Sequence, residues 1–168
     1  IRYEKKKETI VAYSGKELSG VNTNTSDGYV LRVLYKGGFS SVTFSRPEDA
    51  KKAAVLAVAD AKLLSQNIKN PVALAKVPII KAEFFPELQE PSDKVSLEEK
   101  IALTGKYNAI PLKSARVVNT SINYNETLRE KYFASTEGAE IRETLDTLSI
   151  AGRATAKEGT LTQSILFL

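Results

Sequence analysis

The sequence predicts an α+β fold: two antiparallel β-meanders with two main helices packed on sheet. Three observations carry it. Gly-containing turns at Ser14-Gly15 and Lys36-Gly37-Gly38 separate strand-like runs, two capping-box sequences open helix-forming stretches, and Ala115 to Tyr124 alternates with the period of a half-buried strand. The meanders are placed over roughly residues 1–45 and 115–168, with helices near 46–66 and 97–108. At 168 residues the chain reads as a single domain, residues 1–168.

Taken in order, Arg2 to Tyr13 mixes charged and apolar residues without helical period and is expected to be a long strand, partly at an edge. Glu17 to Thr25 is polar but β-compatible and closes at Asp27-Gly28, a turn signal. Tyr29 to Tyr35 is nearly all apolar, as a central strand covered on both faces would be, with Arg32 as a partner for a sheet carboxylate. After the Lys36-Gly37-Gly38 turn a further strand reaches Phe44.

Ser45-Arg46-Pro47-Glu48 reads as a helix start, with Ser45 as N-cap and Glu48 closing a capping box. The following Ala50, Ala53, Ala54, Ala57, Ala61 and Leu64 recur at three and four, a stripe of small side chains that lets a helix lie close to a sheet. Four of the six prolines fall between Asn67 and Ser92, so this stretch is read as an extended crossing whose aromatics, Phe84 and Phe85, pack it onto the domain. Ser96-Leu97-Glu98-Glu99 opens the second helix, which carries Ile101, Leu103 and Tyr107 and stops before Pro111. Glu98 and Glu99 are adjacent carboxylates, but neighbours on a helix diverge and acidic first turns suit the helix dipole; they are read as structural. The remaining chain gives four strands: Ala115 to Tyr124, Thr127 to Ser135, Ala139 to Ala156 and Thr160 to Phe167, with turns at Thr136-Glu137-Gly138 and Glu158-Gly159.

The composition excludes several chemistries. With no Cys and no His there is no disulfide, no thiol nucleophile, no Ser-His-Asp triad and no His-ligated zinc within these residues. Candidate catalytic, cofactor-binding and metal-ligating residues are therefore none. Lys5-Lys6-Lys7 is the one basic run, no aromatic platform is interleaved with it, and nucleic-acid binding is not expected. No apolar run approaches the roughly 20 residues a membrane helix needs, and the N-terminal Ile1-Arg2-Tyr3-Glu4-Lys5 has no signal-peptide core, so a cytoplasmic location is expected. The sequon matches at Asn24, Asn119 and Asn125 carry no weight without a secretory signal. The chain starts at Ile1 and holds no Met, which suggests a piece of a longer protein.

The order of parts supplies what the chemistry does not. A strand into Ser14-Gly15-Lys16-Glu17, the run Gly28-Tyr29-Val30-Leu31-Arg32-Val33-Leu34, Phe39-Ser40-Ser41, the Ala-rich helix, the Pro-rich crossing, Val95-Ser96-Leu97-Glu98-Glu99-Lys100 and Ser135-Thr136-Glu137-Gly138 together resemble the N-terminal domain of the TldD/PmbA family, over essentially the whole chain. The Ser-Leu-Glu-Glu-Lys and Ser-Thr-Glu-Gly stretches place it closer to the TldD branch. The resemblance implies a cytoplasmic zinc metallopeptidase, also labelled a modulator of DNA gyrase, that acts on small or unfolded polypeptides as a homo- or heterodimer. The family's zinc site is a His-Glu-x-x-x-His helix in a further domain, and this chain has no such motif; zinc is expected only in that absent catalytic domain. The alternative is a PmbA-like partner that shapes a substrate chamber without cleaving. Of the two expected sheet edges, Arg2 to Lys7 is guarded by lysines, whereas Ile165 to Leu168 is apolar and unguarded, so it is expected to be covered by the downstream domain or a second subunit, with peptide capture by strand addition nearby.

Overall fold

The computed structural model describes residues 1–168 as seven strands and two α-helices. The strands are β1 (Arg2–Ser14), β2 (Glu17–Tyr35), β3 (Gly38–Phe44), β4 (Lys81–Phe84), β5 (Val117–Ala134), β6 (Glu140–Glu158) and β7 (Leu161–Phe167); the helices are α1 (Ala50–Asn67) and α2 (Leu97–Ala109). The fold is α+β as expected, but the strands form one sheet in the order β3-β2-β1-β5-β6-β4, with β7 also paired to β6. The two meanders are therefore joined through β1 and β5. This corrects the edge assignment of Arg2 to Lys7, because β1 lies between β2 and β5. Lysine tolerates an interior strand when its face is wet and its stem lies along the sheet, and Lys6 pairs there with Glu8 at 2.7 Å.

The expected turn at Asp27-Gly28 does not form, and β2 runs unbroken for 19 residues. Asn, Thr and Ser between Asn22 and Ser26 are all exposed, so this half of β2 needs no apolar face to persist as strand. Likewise Ala115 to Tyr124 and Thr127 to Ser135 merge into β5, which leaves three strands after α2 instead of four.

By contacts the chain divides into two compact units, each assembled from separate stretches. The first comprises Ile1–Lys5, Ser26–Phe85 and Arg129–Thr144. Its hairpin turns at Lys36 and Gly37, both with positive φ, and pairs Tyr35 with Gly38 and Tyr29 with Phe44. Ala53, Ala57 and Ala61 are the buried face of α1, and the Ser40 hydroxyl donates to the Ala57 carbonyl at 2.6 Å, so the alanine stripe does bring the helix close. Gly38 marks the closest approach: a Cβ there would lie 2.2 Å from the Ala61 carbonyl oxygen. The Tyr29 ring stacks on Phe44 at 4.9 Å and lies beside Tyr3 at 4.7 Å. Arg32 is exposed and forms no ion pair with a sheet carboxylate.

The helix start differs from the expectation. Pro47 holds Arg46 extended, Pro47–Asp49 form a 3-10 turn without a side-chain cap, and α1 begins only at Ala50, so the Ser45/Glu48 box is not made. The Pro-rich crossing docks through backbone instead of through its aromatics. β4 adds to β6 in parallel, Lys81 opposite Glu140 and Phe84 opposite Glu143, while Phe84 and Phe85 are more than half exposed.

The second unit comprises Lys6–Thr25, Pro86–Leu128 and Leu145–Leu168. Here the Ser96 capping box is formed as expected: the Glu99 amide donates to Ser96 Oγ at 3.2 Å and the Ser96 amide to Glu99 Oε2 at 2.9 Å. These bonds hold the exposed Glu99 carboxyl below its ordinary range. β7 pairs with the C-terminal part of β6, Gly152 opposite Phe167 through Glu158 opposite Leu161.

Candidate functional site

The fold brings no three His, Cys, Asp or Glu side chains together as a metal-holding group. Glu98 is an exposed first-turn residue of α2 and Glu99 is its cap, so the adjacent carboxylates do not converge. Zinc does not fit the donors that are present.

The chemistry that sequence reading missed lies inside the second unit. The helix α2 buries Lys100, Thr104 and Asn108, a polar stripe at i, i+4 and i+8, while Leu103 stays exposed. Opposite them β5 buries Thr120, Ile122, Tyr124 and Glu126, the inward face of a period-two strand. Lys100 Nζ lies 2.8 Å from Glu126 Oε1 and 2.7 Å from Oε2, with both side chains almost fully enclosed. The Tyr124 hydroxyl donates to Glu126 Oε2. Burial, and then the bond to Glu126, hold the Tyr124 phenol above its ordinary value, so it stays protonated throughout the physiological range.

A second polar cluster pins the first hairpin turn of this unit. Asn108 Nδ2 donates to the Gly15 carbonyl at 2.7 Å, Thr120 Oγ1 donates to Asn108 Oδ1 at 2.7 Å, and the Gly15 amide donates to the Thr120 carbonyl at 2.8 Å. Gly15 has φ +58, which only glycine adopts cheaply, and Gly105 admits the Tyr13 ring against α2. Ser92 adds a third tie, through its amide and hydroxyl to the two oxygens of Asp146 at 3.0 and 2.8 Å. All three arrangements have their polar groups paired, the first of them buried and the other two partly so, and they fasten α2 and the preceding segment to strand. A signal for Glu126 existed, since extending the alternation past Tyr124 places it inward. No comparable signal marked Lys100, because a polar helix face reads as solvated.

In the first unit a shallow cleft is lined by Lys81, Ala82, Glu83, Glu140 and Arg142. Arg142 reaches Glu83 at 3.5 Å and Glu140 at 3.9 Å and lies over the Tyr132 ring at 5.7 Å, all partly exposed. Partial desolvation and the nearby Glu140 carboxylate raise the Tyr132 phenol above its ordinary value.

Fold and residues together define a class: a β-rich α+β region in which buried polar side chains fasten α2 to β5. Comparison with known families is specific about which. The model for the PmbA/TldA metallopeptidase domain 1 matches residues 1–62, and that for the PmbA/TldA metallopeptidase central domain matches residues 90–164. The chain belongs to the TldD/PmbA family. No curated protein matches it. Among solved structures it is similar to a modulator of a DNA gyrase from Thermotoga maritima, with TM-score 0.77 and 17% identity over 98% of this chain and 37% of that one. A modulator of DNA gyrase from Bacteroides thetaiotaomicron gives 0.71 and 13% over 98% and 38%, and TldE from Thermococcus kodakarensis gives 0.59 and 14% over 99% and 38%. At these identities the likeness is one of fold. The chain spans less than two-fifths of each of these structures.

Proposed function

We propose that this chain is the non-catalytic, chamber-forming part of a TldD/PmbA-type zinc metallopeptidase that processes small or unfolded polypeptides. The observation that carries the reading is the coincidence of two metallopeptidase-family domain matches with a donor set holding no His, no Cys and no clustered carboxylates. Zinc and the water it activates then belong to a further domain, and the residues here position and enclose polypeptide. Pairing with a second family member and a cytoplasmic location go with this reading; no helix is long and apolar enough to cross a membrane.

Elemental analysis and a peptidase assay on this 168-residue chain, run beside the longer protein, test it. Stoichiometric zinc or hydrolysis in the chain alone would overturn it. The same lack of ligands suits a non-cleaving partner subunit, and a longer protein that neither binds zinc nor cleaves unfolded polypeptide would favour that second reading.

A further inference from the structure

The contact between β4 and β6 in the first unit is built unlike the rest of its sheet. β4 is four residues long, sits between stretches without regular structure that carry Pro78 and Pro86, and is the one strand paired in parallel in a described register. Its side chains bury almost nothing: Ala82 is half-buried, whereas Lys81, Glu83 and Phe84 are exposed. What holds it is backbone bonding, including the Glu140 amide donating to the Ile80 carbonyl at 2.9 Å, and a charge register that sets Lys81 opposite Glu140 and Glu83 opposite Arg142. Parallel alternation directs the Ala82 amide at Glu140 as well. A strand held by edge bonds and exposed charges, with little apolar burial, opens at low cost.

We infer that β4 is a displaceable strap, and that when it lifts the Glu140–Glu143 edge of β6 takes in its place an extended polypeptide segment with a basic residue followed two positions later by an acidic one. The acidic residue meets Arg142 and the basic one meets Glu140, while the backbone supplies affinity that is indifferent to the intervening side chains. This stands on the strand pairing alone and is independent of the peptidase reading. In the closed state the strap competes with any incoming segment, so apparent affinity is reduced by the fraction of molecules in which the edge is open.

The test uses the chain with a fluorescein-labelled hexapeptide, Ile-Lys-Ala-Glu-Phe-Phe, followed by anisotropy. Ala82→Pro removes the strap's donor to Glu140 and should tighten peptide binding by roughly tenfold, the gain expected from relieving self-competition. Adding Arg142→Glu should abolish that gain, and a peptide with Lys in place of its Glu should restore it. Binding that A82P does not improve, or that R142E leaves unchanged, overturns the inference. Hydrogen exchange on the unsubstituted protein gives a reading free of folding defects: the Glu140 and Arg142 amides should exchange faster than the Ser40 amide in the β2–β3 hairpin and slow when peptide is added. No change on adding saturating peptide refutes the strap.

Discussion

Replacing Lys100 by Met should be among the most damaging single changes in the second unit. The Lys100 and Glu126 side chains are only 6% and 3% exposed, and the carboxylate's other partner is the neutral Tyr124 hydroxyl. Removing the ammonium leaves a carboxylate without water or counter-charge, a loss of about 3–5 kcal/mol for a broken buried pair. Against a total stability of about 5–15 kcal/mol, that is enough to leave the unit marginal. The contrast within the same unit is Arg116 with Glu158, 3.1 Å apart but 70% and 65% exposed, where Arg116→Ala should cost under about 1 kcal/mol. Replacing both members of the buried pair, Lys100→Met with Glu126→Leu, should recover much of the single-variant loss, because the solvation penalty vanishes with the charges. Urea denaturation followed by circular dichroism, with the m-value checked for constancy, measures all three. A K100M loss below about 1 kcal/mol, or a double variant no better than the sum of the singles, would refute the assignment of a desolvated, coupled pair.

Four further outcomes are expected. Tyr124 has its folded-state pKa raised from 10.0, so it contributes stability that is present below about pH 10 and lost as pH rises further; thermal melts from pH 8 to 11 should fall more steeply in the unsubstituted protein than in Tyr124→Phe. Ser96→Ala removes the formed cap of α2 and should cost about 1 kcal/mol, whereas Ser45→Ala should cost far less because no cap is made there. Gly38→Ala drives a Cβ into the Ala61 carbonyl and the Ser65 backbone and should destabilise the first unit by about 3 kcal/mol or more, read by melting temperature. Leu166, 71% exposed on β7, tests the proposed pairing with a second subunit: if β7 is covered in the longer protein, Leu166→Asp should lower its melting temperature or its apparent size by size exclusion, and unchanged elution and melting would refute a contact at β7.

Much of the fold was legible because local rules governed it. The Lys36-Gly37-Gly38 turn, the Ser96 cap, the alanine stripe of α1 and the alternation through Thr120, Ile122 and Tyr124 each follow from backbone or side-chain preferences that act within a few residues. The failures share a cause. Asp27-Gly28 carries a turn signature, yet β2 continues through it, because pairing along a sheet can outweigh the preference of a single dipeptide. Ser45 lost its capping role to the constraint that Pro47 imposes on Arg46, a competition between two local rules that counting motifs does not resolve.

By itself the sequence determined the α+β class, the placement of both helices, the absence of His and Cys chemistry, and a family resemblance spread over the order of parts and not over any one motif. These are properties of residue type and near neighbours. Only the tertiary structure decided that β1 is an interior strand, that α2 faces the core with Lys100, Thr104 and Asn108, and that Glu126 receives Lys100 from 26 positions away. A polar side chain is read as solvated until its partner is located, and that partner comes from a distant stretch of chain. The same holds for β4: nothing in Lys81-Ala82-Glu83-Phe84 announces a strand until Glu140 and Arg142 are brought opposite it, where complementary charge and free backbone groups make one.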